Sequence, residues 1–256
     1  MSNNFPKDPD KRKQKMNSVG IIGFGRFGRI LGQILSDDFE VNAFDPEPQK
    51  EQFGVKFVDK DDIIKEKVLF ISIPIRDFKN LILDIAPRLG KGTTVIDVCS
   101  VKVYPVTVMT EALPDHVGII ATHPLFGPDS ISKPDGMTMM MNSTREVHGK
   151  FSFWKQYFES KAIKVVEMTP EEHDRLAAKT QGITHFIGRV LKDAGVGVTE
   201  IDTLGFKELL AVIYQTCYDS WDLFTDLQNY NPYTTSMIET LESAIKNVRS
   251  KILRRN

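Results

Sequence analysis

Cysteine is scarce: Cys99 and Cys217 are the only two among 256 residues, far apart and in apolar or aromatic surroundings. That excludes a disulfide framework and a cysteine-based metal spacing, and it suits a reducing cytoplasm. Long hydrophobic runs are lacking as well, since no apolar segment approaches the roughly 20 residues that span a bilayer. The opening stretch MSNNFPKDPDKRKQKMNS is polar and mixed in charge, without the apolar core of a signal peptide or a recognisable transit peptide. Residues 1–17 are therefore expected to form a mobile, solvated tail on a cytoplasmic protein, with a plastid form left open. An excess of one charge is also missing, because 33 Lys and Arg nearly cancel 34 Asp and Glu for a net −1. Nucleic acid and membrane are thus poor partners, and a small molecule is the expected one.

What the chain does have is alternation. From Val19 the short apolar runs VGIIG, EVNAF, KVLFISI, TTVIDV, GIIA, GMTMMM and AIKVVEM are separated by longer mixed stretches. This pattern predicts an α/β fold: a doubly wound, dinucleotide-binding (Rossmann-like) domain with a mostly parallel sheet over residues 18–168. At Thr169-Pro170-Glu171-Glu172 a cap, a proline in the first helical position and a capping-box glutamate occur together. A smaller all-helical domain is expected over 169–256, with helices at Pro170 to about Ala194, about Phe206 to Asn229, and beyond Asn231-Pro232. In the last of these, Ile238, Leu241, Ile245, Val248 and Ile252 recur at steps of three and four. Such a stripe packs either within the domain or against a second copy, and a homodimer is expected.

The sharpest local signal is Gly23-Phe24-Gly25-Arg26-Phe27-Gly28, between the strand VGII and a helical stretch. In that context the first glycine makes a tight turn, the second lets the backbone approach a pyrophosphate, and the third permits close helix packing. The helix N-terminus attracts the negative charge. Asp45 ends the next strand 22 residues beyond Gly23, near the ~20-residue offset of the carboxylate that holds the adenosine ribose. This favours NAD over NADP, although Arg26 beside a phosphate keeps NADP open. Ser72 and Pro74, in the strand end ISIPI, are assigned to the cofactor too. The competing explanation is a glycine-rich turn in a flavodoxin-like or methyltransferase sheet.

Ligands of open α/β sheets lie beyond the carboxyl ends of the strands. Three such ends carry polar groups: Arg76-Asp77, Cys99-Ser100-Val101-Lys102 and Thr122-His123-Pro124. His123 there can take the proton of a substrate hydroxyl while hydride leaves the same carbon, or it can simply tie down its own loop. His116 and His148 are expected in surface turns without a role, and His173, in a first helical turn, is expected to be solvated. Gln181, His185 and Gly188 share one helical face with Arg189 nearby, so this face is expected to close the substrate pocket.

The segments DVCSVK, ATHPLFGPDS, TPEEHDRLAAKTQGITHFIGRVL and SWDLFTDLQNYNP resemble the prephenate and arogenate dehydrogenase family, over nearly the whole chain from Val19. The resemblance implies oxidative decarboxylation of a cyclohexadienol on the route to tyrosine. By its pattern His123 meets the C4 hydroxyl, Ser100 orients that histidine and the nicotinamide, and His185 is the helix histidine near the substrate. Many members carry an arginine just after the asparagine of the segment that here reads Leu227-Gln228-Asn229-Tyr230-Asn231-Pro232-Tyr233. Without it, the substrate carboxylate falls to Arg189, Arg76, Lys102 or an arginine of a second subunit. Asp129, near the substrate side chain, would attract the ammonium of arogenate and repel the second carboxylate of prephenate, unless it only closes its own turn.

Two other readings compete. A β-hydroxyacid dehydrogenase would use a helix lysine, for which Lys179 and Lys192 are the candidates, but it leaves the His-Pro loop unexplained. A non-catalytic dinucleotide sensor would need a partner surface; Lys246, Arg249, Lys251, Arg254 and Arg255 offer one, yet basic residues at a helix C-terminus are favoured by the dipole alone.

Overall fold

Eight strands form one sheet in the order β3-β2-β1-β4-β5-β6-β7-β8. They are β1 Ser18–Ile22, β2 Glu40–Phe44, β3 Lys56–Phe57, β4 Val68–Ile71, β5 Thr94–Asp97, β6 Gly118–Pro124, β7 Thr138–Arg145 and β8 Lys164–Glu167. The computed structural model describes residues 18–47, 50–127 and 136–254, so the expected tail and Asp129 lie outside the described residues. Every neighbouring pair is parallel except β6 and β7. The winding reverses between β1 and β4, which leaves a crevice at the carboxyl ends of these two strands.

Helices cover both faces, which is why β4 and β5 are buried at every position and read in sequence as unbroken apolar runs. On one face α1 (Arg26–Ser36) and α5 (Lys150–Ser160) bury Leu31, Leu35, Trp154 and Phe158 against Ile21, Val41 and Phe70. On the other, α2 (Lys60–Ile63), α3 (Ile75–Ile85) and α4 (Val103–Ala112) bury Ile63, Phe78, Ile82 and Met109 against Leu69, Ile71 and Val95. The two-residue β3 is absent from the sequence expectation because a period of two cannot show in two residues.

Beyond Glu167 the chain is helical: α6 (Pro170–Ala177), a π turn at Ala178–Gly182, α7 (Ile183–Asp193), α8 (Leu204–Cys217), α9 (Trp221–Asn229) and α10 (Thr234–Leu253). The capping box forms as expected, with the Thr169 side chain accepting from the Glu172 N–H. Two expected boundaries need correction. The helix from Pro170 is interrupted by the π turn that carries Gln181, a device common at functional sites. The single helix expected over 206–229 is two helices, because Ser220 caps a new start by accepting from the Leu223 N–H at 3.1 Å. Gly188 serves the crossing of α7 and α8: a Cβ there would lie 2.0 Å from Thr216 Oγ1.

Candidate active site

The glycine loop has the geometry its spacing suggests. Gly23 takes a φ of +92°, and a Cβ on it would lie 2.3 Å from the Ser72 carbonyl. At Gly25 a Cβ would meet nothing within 4 Å, so the approach to the backbone is open there. Gly25 is the N-cap of α1, and no side chain caps that first turn. An open cradle at an uncapped helix start fits a pyrophosphate.

Asp45 braces this turn from the neighbouring strand. Its Oδ2 accepts from the Phe24 N–H at 2.6 Å and its Oδ1 from the Glu47 N–H at 2.9 Å. Ser72 lies beneath the loop, its N–H donating to the Ile22 carbonyl at 2.8 Å, and Pro74 caps α3. The aromatic members of the motif turn inward: the Phe24 ring packs edge-on to Phe57, and Phe27 packs on Phe126. Arg26 pairs with Asp219, just before α9, at 2.9 Å, so the loop also touches the helical region.

At the end of β6, His123 is buried, with 3% of its surface exposed. Its Nδ1 lies 2.8 Å from Nε2 of His173, and the rings meet at 75°. His173 Nδ1 in turn lies 2.8 Å from Asp174 Oδ1. The Asp174 carboxylate also accepts from the Lys102 N–H at 2.7 Å and the Val103 N–H at 2.8 Å, capping α4. Asn231 Nδ2 donates to the Asp174 carbonyl. The expectation of a solvated His173 is therefore wrong: the side chain is buried, on the face of α6 turned to the sheet. Burial holds the His123 imidazole well below the usual histidine pKa of 6.5, and a positive charge on His173 and the Lys102 ammonium push the same way.

Lys102 also differs from expectation. Its side chain is wholly buried, with the ammonium on the Asp97 carboxylate and the Thr122 carbonyl, so its charge is spent inside the protein. Ser100 is half-buried on the loop after β5, and Nδ1 of His123 is met by His173 rather than by its hydroxyl. The other proposed carboxylate holders are engaged as well. Arg76 grips the Asp226 carboxylate and reaches the Asp222 side chain and carbonyl. Arg189 lies over the Trp221 and Phe224 rings and donates to the Asp219 and Ser220 carbonyls, which makes it a brace for the start of α9.

Gln181 and His185 carry buried polar atoms without a hydrogen-bond partner among the described residues, Oε1 and Nδ1 respectively, and so do Gln228 at Oε1 and Arg189 at Nε, although the rest of the Arg189 guanidinium is engaged. Burial also lowers the His185 pKa, assisted by Arg189 and opposed by Asp219. Unpartnered buried polar atoms are costly and call for an explanation. The rival lysines, Lys179 and Lys192, are exposed. His116 and His148 tie turns together through the Leu89 and His116 carbonyls.

His173 and Asp174 are the site residues that sequence reasoning missed. A signal existed: His173, Ala177, Gln181, His185 and Arg189 recur every four residues, which places His173 on the same stripe as the residues singled out.

Comparison with known proteins places the chain in a family. Residues 41–137 match the nucleotide-binding domain of prephenate dehydrogenase, and residues 190–256 a TYRAAT1-like C-terminal domain. The chain is 30% identical to Arogenate dehydrogenase 2, chloroplastic, of Arabidopsis thaliana over 95% of this chain and 72% of that protein. It belongs to the prephenate and arogenate dehydrogenase family. It is also 32% identical to Arogenate dehydrogenase 1, chloroplastic, of the same plant, over 93% of this chain but only 39% of that longer protein. Prephenate dehydrogenase of Aquifex aeolicus, solved with hydroxyphenyl propionate and NAD+, shares the fold at TM-score 0.76 and 19% identity, covering 94% and 92% of the two chains. Synechocystis arogenate dehydrogenase shares it at TM-score 0.70 and 17% identity, over 93% and 92%. Members of this family are NAD(P)-dependent oxidoreductases, and the open Gly25 cradle fits that cofactor.

Proposed function

We propose that this protein carries out the NAD(P)-dependent oxidative decarboxylation of arogenate or prephenate, with His123 as the base. The observation that carries the proposal is a buried histidine at the carboxyl end of β6 in a sheet whose glycine loop is open at Gly25. When bound at the Gly23–Gly28 loop, NAD(P) would supply the hydride acceptor for this oxidation. His123 takes the proton of the C4 hydroxyl, so that a carbonyl forms as the hydride leaves. The C1–carboxylate bond then breaks, carbon dioxide departs, and its electron pair aromatises the ring. His123 returns the proton to the phenolic oxygen. A neutral imidazole is required at the outset, and its buried setting keeps it neutral at physiological pH.

Gln181 and His185 are assigned to the substrate, because their unpartnered polar atoms suit a polar ligand against this face. Ser100 is kept as a second contact to His123 or the nicotinamide. Lys102 and Arg189 support the site from within. The two backbone amides that fix Asp45 favour NAD, since a fixed carboxylate repels a 2'-phosphate. Asp129 is proposed to select arogenate, the substrate also named in the two plant relatives. The helical part from residue 169 is proposed as a second domain that joins two copies into a homodimer. The two free cysteines suit a reducing compartment; we assign the cytoplasm, with a plastid as the alternative suggested by the chloroplastic relatives. Among the described residues no helix is long and apolar enough to cross a membrane.

The test is reduced-cofactor formation by purified protein with arogenate and with prephenate, each with NAD and NADP, beside His123→Asn. Turnover that disappears in the variant is expected. Absence of turnover with either substrate, from protein that binds NAD, overturns the proposal.

A further inference from the structure

We infer that His173 and Asp174 are positioning residues that fix the tautomer of His123, so that Nε2 carries the lone pair; this rests on the reading of His123 as the base. The Asp174 carboxylate accepts on both oxygens, from the Lys102 and Val103 N–H groups. Its bond to His173 Nδ1 therefore takes its proton from the imidazole, and a neutral His173 then has only a lone pair on Nε2. That nitrogen faces His123 Nδ1 at 2.8 Å, so with His173 uncharged His123 donates through Nδ1, whereas a charged His173 would donate instead and reverse the tautomer. With His173 uncharged, the remaining His123 nitrogen, Nε2, is the one that can accept.

The alternative tautomer of His123 would place two lone pairs against each other at that distance and a proton where the base must receive one. The same bond assists the charged state: once Nε2 takes the substrate proton, the imidazolium keeps its Nδ1–H on His173. No proton needs to move through His173 or Asp174. Other charges around the pair are the Lys102 ammonium, neutralised by Asp97, and the Asp174 carboxylate.

The pair also links two regions of the chain. His123 belongs to the sheet, whereas His173 and Asp174 lie in α6 and Asn231, before α10, holds the Asp174 carbonyl. The base acquires its working tautomer only when α6 is docked on α4.

Imidazole nitrogen NMR on the NAD-bound protein tests this directly. In the native protein the His123 signals should report a protonated Nδ1 and an unprotonated Nε2, and His173→Leu should abolish that preference. In turnover, His173→Leu should lower kcat by about 10²-fold or more with little change in the KM values. His173→Gln should restore part of the loss, because an amide oxygen can accept from Nδ1–H. A protonated Nε2 in the native protein, or an unchanged kcat in a folded His173→Leu variant, overturns the inference. The NMR result stands whichever substrate is turned over, so failure of the functional proposal and failure of this one are told apart.

Discussion

Lys102 and Asp97 form a wholly buried ion pair at the carboxyl ends of the sheet. The Asp97 carboxylate also accepts from the Cys99 and Thr122 N–H groups, and the Thr122 hydroxyl donates to the Asp97 carbonyl at 2.6 Å. The Lys102 ammonium bonds the carbonyl of Thr122, the residue before His123. The pair thus joins the end of β5, the loop after it and the end of β6 immediately beside the base.

Removing one partner of such a pair leaves an uncompensated buried charge, which costs about 3–5 kcal/mol. Lys102→Met is expected to lower the unfolding free energy by that amount in denaturant titration, and Asp97→Asn added to it should recover part of the loss. A variant of normal stability with a raised substrate KM would instead give Lys102 a direct substrate role.

The lowered pKa of His123 sets the sign of two pH effects. A base works in its neutral form, so kcat/KM should stay level as pH falls through 6.5, the usual histidine value, and decline only in more acid solution. Stability behaves oppositely to a salt-bridged histidine. As pH falls through the unfolded value, the unfolded chain takes up a proton that the folded protein refuses, so the folded state loses stability below that point. His185, also shifted down, adds to the loss. Unfolding free energy measured against pH should show this acid decline, and His123→Asn should make it shallower.

Asp45 offers a test of cofactor choice. A like charge at ~4 Å costs about 1–4 kcal/mol near a protein surface, so Asp45→Asn should shift the ratio of kcat/KM for NADP over NAD by about tenfold or more. Because an amide oxygen replaces only part of the hold on the Phe24 and Glu47 N–H groups, affinity for NAD should fall as well. An unchanged ratio would move cofactor selection to other residues, Arg26 first among them.

Much of the sheet is legible in the sequence because doubly covered strands such as VLFI and TVID must be apolar at every position. The glycine loop is legible because its three positions have separate steric demands, visible as the blocked Cβ sites at Gly23 and Gly28 and the open one at Gly25. Tertiary partners are not legible in the same way. Lys102 at a strand end looks like a substrate cation until Asp97 is seen to neutralise it. His173 looks solvated because three residues of its helix start, Pro170, Glu171 and Glu172, are polar or helix-opening, while its inward direction depends on where α6 docks.

Asp129, outside the described residues, is proposed to select between the two substrates. If its carboxylate attracts the arogenate ammonium, Asp129→Asn should reduce kcat/KM for arogenate while raising that for prephenate. A preference unmoved by the substitution would leave Asp129 as a turn residue and transfer the choice to the helical face of Gln181 and His185.

Most residues of α10 are exposed. This 20-residue helix buries only Thr234 and Met237, while Ile245, Val248, Ile252 and Leu253 are each more than half exposed beside Ile187 and Leu241. A helix draws most of its stability from packing an apolar face, and an exposed apolar stripe of this length signals an interaction surface. A second copy presenting the same stripe would cover it with two-fold symmetry. Ile245→Glu with Val248→Glu should therefore convert a dimer to a monomer in sedimentation equilibrium and lower its thermal stability. The native chain sedimenting as a monomer at all accessible concentrations would refute the dimer. A native dimer that persists in the double variant would instead place its interface on another face of the helical region, where Tyr214, Tyr218 and Trp221 are also exposed.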